Sequence, residues 1–481
     1  MNPLHPLRRR TPIPPPGQQG STLVIVLWIA FGLVSLTLYF ANSMSLELRA
    51  ADQRVCGLQA EQAIEGAARY LGSMLLISQT NGVMPDPTTY LREAVAVAQR
   101  DDDPSAARFW LIGRDTNAVA PGQVSFALVD EASKLNLNTA TSNMLIWLPR
   151  MTEEFAAAIL EWRDTNGGSG MFSLDYSMRQ PGYLNKSAPF ETVDELRLVY
   201  GGEMDMLAGE DLNRNGVLDP NETDENRNGV ADPGVWEYVT VYSREPNTYS
   251  NGVERVDIRQ IGSAGPFATL LQETLGSGRA NEILTRLGVL GMGGGGPGGG
   301  GPGGGRPGGN AGTVRQFTSP LQLYRESGMT PEEFAQIEGA LTTTTNAFIE
   351  GRVNVNTASA TVLACLPGLS EAPDLAQALV DYREMNPSQL TSIAWVVEAI
   401  GANNNTVLDA LASRDCITTR SYQFTADVAA VGPHGRGYRR TRFVFDTSGG
   451  TAQIVHRQDL SHLGWALGQE ARNQWVTKAT R

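Results

Sequence analysis

The chain has 481 residues and a formal net charge of −13 at pH 7, so we expect no nucleic-acid partner held through phosphate contacts. Three cysteines and four histidines leave few side chains for a zinc site or a cysteine–histidine catalytic centre. No Ser-His-Asp set is evident among the scattered histidines, and we predict that the protein is not an enzyme.

The N-terminus joins a basic leader to an apolar run. Arg8–Arg10 is followed by a stretch without charge from Thr11 to Leu46. A secretory signal peptide places its small-residue cleavage site after the apolar run, whereas here Gly20 precedes it. This order resembles a type IV prepilin leader. It predicts that a prepilin peptidase removes residues 1–20 and that Ser21 becomes the new, N-methylated terminus.

The apolar run from Leu23 to Met44 is about 20 residues long, enough for a helix to cross a bilayer. Because the preceding side is basic, we expect a single-pass inner-membrane protein whose C-terminal part lies in the periplasm. The segment 21–45 is assigned to the membrane. An ordinary anchor that keeps residues 1–20 is the alternative.

Helix-forming residues continue past the membrane segment, and the next proline is Pro85. One helix from Ser21 to about Ser78 would be about 85 Å long at ~1.5 Å per residue. A helix that is apolar at its start and amphipathic later is typical of a pilin stalk. We assign residues 46–133 to this stalk and the first strands.

Strand-like runs occur on both sides of a long middle segment. They occupy residues 108–113, 124–129, 422–428, 440–445 and 452–456. If they pair, residues 134–418 are an insertion into one small antiparallel sheet, on which the stalk helix packs. The predicted fold class is therefore α+β and pilin-like, with a C-terminal part of the sheet in residues 416–481.

The insertion contains an internal repeat, because Leu-Asn-Leu-Asn-Thr-Ala at 135–140 matches Val-Asn-Val-Asn-Thr-Ala at 353–358. Each copy leads to a Leu-Pro turn and a helix. The two units, residues 134–205 and 314–415, resemble helix-hairpin-helix units. Neither hairpin has the paired glycines that suit phosphate binding, and both carry acids. We therefore interpret them as packing or partner-binding modules.

Asn138-Thr139 and Asn356-Thr357 are predicted N-caps of the helices that follow the repeated motif. Between the units, residues 237–290 are predicted to form short strands and a helix from about Phe267 to Leu287. The Gly/Pro-rich segment 291–313 cannot build a core and is predicted to be a disordered linker.

Residues 206–236 carry two copies of a calcium-loop pattern. In the first copy, oxygen side chains occupy positions 1, 3, 5, 9 and 12 of twelve, with glycine at position 6 and a carbonyl ligand at position 7. Its predicted ligands are Asp211, Asn213, Asn215, the Val217 carbonyl, Asp219 and Glu222. The flanks lack clear EF-hand helices, so the pattern predicts a structural calcium site.

The second copy has predicted ligands Asp224, Asn226, Asn228, the Val230 carbonyl and Asp232. Its position 12 is Val235, so Glu237 or a neighbouring loop must supply the missing carboxylate. The alternative is an acidic, turn-rich surface loop. Elsewhere, Cys365 and Cys416 flank one helical unit and could pair in an exported protein, whereas Cys56 is interpreted as a packed or free thiol.

The chain resembles the general secretion pathway protein K family, the large minor pseudopilins of type II secretion. The resembling segments are residues 20–28, 129–131, 134–140, 189–190, 194–196 and 353–358. The resemblance implies a pilin-like domain interrupted by a helical domain. It also implies a place at the pseudopilus tip, beside other minor pseudopilins and above the major pseudopilin, where the protein initiates or caps assembly for export of folded periplasmic proteins.

Most pilin-like chains carry a glutamate five residues after the cleavage point, where it neutralises a neighbour's N-terminal amine. Here that position is Ile25, which suits the topmost subunit. Two alternatives remain open: a minor pilin-like protein of a type IV pilus or DNA-uptake system, and a calcium-stabilised, membrane-anchored surface adhesin. A basic hairpin face would favour the first, and an unprocessed leader would favour the second.

Overall fold

The computed structural model describes residues 21–78, 95–96, 106–113, 127–166, 170–249, 252–290 and 314–468. The predicted leader 1–20 and linker 291–313 lie outside the described residues, as do residues 124–126, the first half of the predicted strand 124–129.

A single helix, α1, spans Ser21–Ser78, as the uninterrupted run of helix-forming residues predicts. Its N-terminal half contains a stretch long and apolar enough to cross a membrane, and none of that stretch is buried. Its C-terminal half buries a stripe at helical spacing that includes Ala60, Ile64, Ala67 and Leu71. The two halves therefore face different environments.

The strands are short except near the C-terminus. In chain order they are β1 (Val95–Ala96), β2 (Arg108–Ile112), β3 (Val129–Asp130), β4 (Leu135–Asn136), β5 (Val239–Thr240), β6 (Arg244–Pro246), β7 (Val256–Asp257), β8 (Leu341–Thr342), β9 (Phe348–Glu350), β10 (Val353–Asn354), β11 (Ile417–Thr418), β12 (Gln423–Val431), β13 (Arg439–Asp446) and β14 (Gln453–Asp459).

The main sheet has the order β1-β2-β12-β13-β14, and β3 also pairs with β12. All these pairings are antiparallel, and the β2–β12 register places Ile112 opposite Asp427. Strands from before and after the insertion thus form one sheet, as predicted. The buried stripe of α1 packs on the face that includes Phe424, Val428 and Phe443. The fold is α+β and pilin-like.

The insertion is mainly helical, and its buried apolar residues form the largest core of the described residues. Its α-helices are Ser142–Leu145, Glu153–Arg163, Ser173–Met178, Met204–Leu207, Pro266–Leu275, Ser277–Arg286, Pro320–Ser327, Pro331–Ile337, Ala360–Ala364, Pro373–Met385, Ala394–Ile400 and Asn405–Ala412. Short 3₁₀ segments within the insertion are Val193–Leu198, Val235–Glu237, Glu338–Ala340 and Pro387–Gln389, and those outside it are Glu131–Ser133, Pro433–Gly435 and Ser461–Leu463. The helix predicted from Phe267 to Leu287 is two helices, because Gly276 at φ 81° interrupts it.

The two repeats adopt the same local structure. In each, the motif strand pairs in parallel with a returning strand: β4 with β5 in the first repeat and β10 with β11 in the second. The predicted N-caps are wrong, because the helices begin later and are preceded by Thr141 and Ser359. In each repeat a turn separates the motif from the helix. The asparagine side-chain amides instead donate to distant backbone carbonyls, that of Asn138 to Phe190 (3.0 Å) and that of Asn356 to Leu390 (2.9 Å).

All three cysteines are free and buried in the structure, so the pairing of Cys365 with Cys416 that the sequence allows is not formed there. The Cys365 thiol contacts the Thr361 carbonyl of its own helix at 3.2 Å, and the Cys416 thiol lies 4.0 Å from the Leu411 carbonyl. Each sulfur is thus directed toward backbone near it in sequence. Cys56 is a free thiol packed in the interior, which agrees with the interpretation from the sequence.

Candidate functional site

The first predicted calcium loop is closed by hydrogen bonds between its own ligand residues. The Asp211 carboxylate accepts from the backbone N–H groups of Asn215 (2.9 Å) and Gly216 (2.8 Å). The amides of Asn213 and Asn215 both donate to Oδ2 of Asp219, at 2.6 and 2.9 Å. The side chains at positions 1, 3, 5 and 9 therefore converge inside one loop, as the spacing predicts.

The backbone of this loop makes the convergence geometrically feasible. Arg214 at position 4 and Gly216 at position 6 have φ values of 56° and 78°. The second loop repeats this pattern at Arg227 (60°) and Gly229 (76°). Left-handed residues turn the chain sharply, and glycine adopts that conformation without a Cβ clash. The glycine at position 6 therefore has the role that the sequence pattern assigns to it.

Glu222, at position 12, lies across the first loop. Its Oε1 accepts from the backbone N–H of Asn213 (3.2 Å), and its Oε2 accepts from that of Asp219 (2.9 Å). Burial, followed by the charges of Asp211 and Asp219, raises the pKa of Glu222 against the lowering effect of these hydrogen bonds. Three carboxylates thus share a partly desolvated space, an arrangement that a divalent cation would stabilise.

An orphaned acceptor also fits a cation in the first loop. Asn213 is only 6% exposed, and its Oδ1 has no hydrogen-bond partner although its Nδ2 donates inside the loop. A buried amide oxygen without a partner is costly. Carboxylate, amide and carbonyl oxygens are the ligands that calcium prefers, and this loop offers all three types. The residues present therefore fit calcium.

The second loop repeats the internal hydrogen bonds of the first. Asp224 accepts from the backbone N–H groups at positions 5 and 6, at 3.2 and 2.9 Å. Asp232 accepts from the amides of Asn226 (2.5 Å) and Asn228 (3.1 Å). Most of these ligand side chains are more exposed than their counterparts in the first loop. The two copies of the pattern are thus also two copies of one geometry.

Glu210 contacts the second loop much as Glu222 contacts the first. Its Oε1 accepts from the Glu225 N–H (2.8 Å) and its Oε2 from the Asp232 N–H (3.1 Å), and the residue is 4% exposed. Asp232 is position 9, the same backbone group that Glu222 engages in the first loop. Glu237, the acid named from the sequence, instead lines a small cavity that Arg214 also lines.

Sequence spacing could not reveal Glu210, because it precedes the first loop and falls at no position of either pattern. An isolated antiparallel β-bridge between Gly209 and Pro233 brings Glu210 beside the second loop. Among the described residues, no group of three or more histidine, cysteine, aspartate or glutamate side chains forms a metal cluster. The candidate centres depend instead on amide and backbone oxygens together with the acids.

Arg150, in the turn of the first helix-hairpin-helix-like unit, contacts acidic residues in and beside the second loop. Arg150, at φ 61°, has the same left-handed conformation as Gly368 at φ 81° in the second turn. Its guanidinium lies 3.0 Å from a Glu225 carboxylate oxygen and 3.9 Å from one of Glu210. This turn therefore packs against the second predicted calcium loop through opposite charges.

The predicted processing junction lies at the boundary of the described residues. Gly20 falls outside them, and Ser21 is the first residue of α1. Ile25, at the position where pilin-like chains carry glutamate, is exposed on the apolar half of α1. The exposed first half of α1 is therefore uncharged up to Leu46.

No protein-family model matches the chain, and comparison with curated proteins gives no match. Among solved structures, the chain is similar to a chain of the crystal structure of the GspK-GspI-GspJ complex from the enterotoxigenic Escherichia coli type 2 secretion system. The match has 10% sequence identity and a TM-score of 0.37, and it covers 85% of this chain and 99% of that chain.

Proposed function

We propose that the chain is a minor pseudopilin of a type II protein secretion system, located at the tip of a periplasmic pseudopilus. There it initiates or caps assembly of the filament that exports folded proteins. One observation carries the proposal. The apolar half of α1 is exposed, while its other half packs on a sheet whose strands come from before and after the insertion. A subunit with this build is anchored in a membrane before assembly and packs in a filament core afterwards.

Two features of the chain favour the tip position. Ile25 occupies the position of the glutamate that would neutralise the N-terminal amine of a neighbouring subunit. The chain therefore lacks one contact that shaft subunits use. The helical insertion is larger than the sheet that carries it, and its bulk would block addition of a further subunit. Both features suit a subunit that has neighbours on one side.

The proposed location and partners follow from this position. The apolar half of α1 crosses the inner membrane once, with the basic leader on the cytoplasmic side and the sheet and insertion in the periplasm. Prepilin peptidase cleaves after Gly20. The proposed partners are the other minor pseudopilins and the major pseudopilin, and the chain performs no catalysis.

We also propose that calcium is a structural component of the insertion. The first ion is held by Asp211, Asn213, Asn215, the Val217 carbonyl, Asp219 and Glu222. The second is held by Asp224, Asn226, Asn228, the Val230 carbonyl and Asp232, with Glu210 supplying the missing carboxylate. Calcium would neutralise the clustered acids and order both loops, and typical extracellular modules bind it at ~10⁻⁴–10⁻³ M.

Deletion of the gene in its host tests the proposed function. We expect loss of type II export of folded proteins into the medium, restored by the wild-type gene but not by a Gly20→Asp variant that blocks leader cleavage. A Gly17→Asp variant, changed within the same leader, is the matched control and should restore export. Intact export with loss of DNA uptake or pilus-dependent motility would instead assign the chain to a type IV system.

A further inference from the structure

Arg440 on β13 joins the main sheet to the first calcium loop. Its guanidinium donates to both carboxylate oxygens of Asp427 on β12, at 2.8 and 2.7 Å. The same group donates to two loop carbonyls, those of Asn213 (2.5 Å) and Arg214 (2.7 Å). These carbonyls belong to positions 3 and 4 of the loop. One side chain therefore holds both parts of the molecule.

The contact is costly to break because three of its four hydrogen bonds are buried and the fourth is partly buried. The Arg440 side chain is 0% exposed and that of Asp427 is 4% exposed. A buried ion pair is retained only when its remaining donors and acceptors are satisfied, and here the loop carbonyls satisfy the remaining guanidinium donors. If the loop moved away, it would leave buried N–H groups without acceptors. The position of the loop is therefore coupled to the sheet.

Asn213 connects the interior of the loop to Arg440. Its side-chain amide lies inside the loop, where Nδ2 donates to Asp219 and Oδ1 is buried without a partner. Its backbone carbonyl, only a few bonds away, accepts from Arg440. A cation that binds Oδ1 would restrain this residue and hold its carbonyl in place for the guanidinium. The orphaned oxygen and the buried contact thus belong to one residue.

The side chain of Arg214 provides a second attachment between the same loop and the sheet. Its guanidinium lies 3.8 Å from the centre of the Trp236 ring and 3.2 Å from Oδ1 of Asp194. Asp194 also accepts a hydrogen bond from the side chain of Gln458 on β14, at 2.5 Å. Positions 3 and 4 of the loop therefore reach two adjacent strands, β13 and β14.

We propose that a divalent cation in the first loop locks the inserted domain onto the pilin-like sheet, with Arg440 as the positioning residue that transmits the constraint. This proposal rests on the calcium binding proposed above. It assigns the first loop a role in the joint between the two parts of the molecule, in addition to local rigidity. Without the cation, the clustered acids of the loop repel one another. This repulsion weakens the restraint on the loop carbonyls that accept from Arg440.

Hydrogen exchange of the full-length protein in detergent, with saturating calcium or with a chelator, tests the proposal. In the wild type, calcium should slow exchange in the loop 211–222 and in β12–β13. In Arg440→Met, calcium should still slow exchange in the loop but not in the strands. Arg440→Lys keeps the charge but not the fork-shaped donor set, and should show a reduced strand effect if the methionine variant does not fold.

Arg244→Met is the matched control. Arg244 on β6 pairs with Asp446 on β13 (2.5 Å), so its loss weakens another contact between insertion and sheet without touching the loop. It should keep the calcium effect on the strands. Calcium protection of the loop with no change in β12–β13 of the wild type would overturn the lock and leave calcium binding intact. No protection of the wild-type loop would overturn both proposals.

Discussion

Arg163 and Arg383 perform the same task in the two repeats of the insertion. Arg163 donates to the carbonyls of Leu137 and Ala140, and Arg383 donates to those of Val355 (3.0 Å) and Ala358 (2.6 Å). The accepting residues occupy the third and sixth positions of the repeated six-residue motif. Each arginine lies in the last turn of the helix after the hairpin and donates back to the motif that begins its repeat.

Substitution of Arg383 should therefore destabilise the second repeat. Arg383→Met keeps the apolar stem but leaves two buried carbonyls without their donor, which should lower the free energy of unfolding by about 2 kcal/mol. Arg163 is less buried, so Arg163→Met should cost less. Chemical denaturation of the full-length protein measures both values. Exposed Arg179→Met should have little effect, and a loss for Arg383→Met no larger than that control would contradict the interpretation.

Removing ligands of the first loop should abolish its calcium affinity. Asp211→Ala and Glu222→Ala each remove an acid that closes the loop. At a calcium concentration ten times the dissociation constant, binding should stabilise the wild type by about 1.4 kcal/mol, which raises its melting temperature. Each variant should lose the part of this increase in melting temperature that comes from calcium binding to the first loop. Titration calorimetry and melting with and without calcium measure the effect, and unchanged values in both would exclude the first site.

Glu210 should be required by the second loop and not by the first. Glu210→Gln keeps the shape of the side chain but removes its charge beside Asp232. It should weaken the second calcium affinity, because a carboxylate ligand becomes a neutral amide, while the first affinity is retained. Glu237→Gln is the control and should leave both affinities unchanged. Calorimetric titration distinguishes the variants, and the opposite ranking would assign the missing carboxylate to Glu237.

The Arg440–Asp427 pair should make stability depend on pH in acid. Burial alone would raise the pKa of Asp427, but Arg440 and Arg442 outweigh it and lower the pKa from 3.8 to about 2. Because the unfolded chain binds the proton first on acidification, the stabilisation is present above about pH 4 and is lost as the pH falls toward about 2. The shift corresponds to about 2 kcal/mol.

Asp427→Asn isolates this contribution. The difference in free energy of unfolding between wild type and variant should shrink by about 2 kcal/mol from pH 5 to pH 2, measured with a chelator present so that calcium binding does not contribute. Asp374→Asn, at an exposed position, should show no comparable change. A wild-type–Asp427→Asn difference that stays constant over this range would contradict a depressed Asp427 pKa.

Local patterns predicted the elements whose signals are contained in the sequence itself. The extent of α1 follows from a long run without proline, and the paired loops follow from ligand spacing. The motif at 135–140 and 353–358 correctly indicated a structural repeat. Its asparagines were misread as helix caps because Asn is a favoured cap residue, whereas here their amides bond to distant backbone groups.

Two side-chain contacts between distant residues could not be predicted. Glu210 reaches the second loop because of a bridge between Gly209 and Pro233, and no spacing rule contains that bridge. Arg440 reads as an ordinary strand residue, yet it is buried against a loop more than 200 positions earlier in the chain. Both contacts depend on how a loop packs against a distant segment of the chain, and residue spacing along the sequence does not show that packing.

The intact mass of the membrane-extracted protein, with and without co-expressed prepilin peptidase, shows whether the chain is a pilin-class subunit. If it is, the peptidase should shift the mass to that of a chain beginning at Ser21, with one added methyl group on its terminus. A chain that still begins near Met1 in the presence of active peptidase would contradict it. That result would mean an ordinary anchored protein and would remove the basis for a place at a pseudopilus tip.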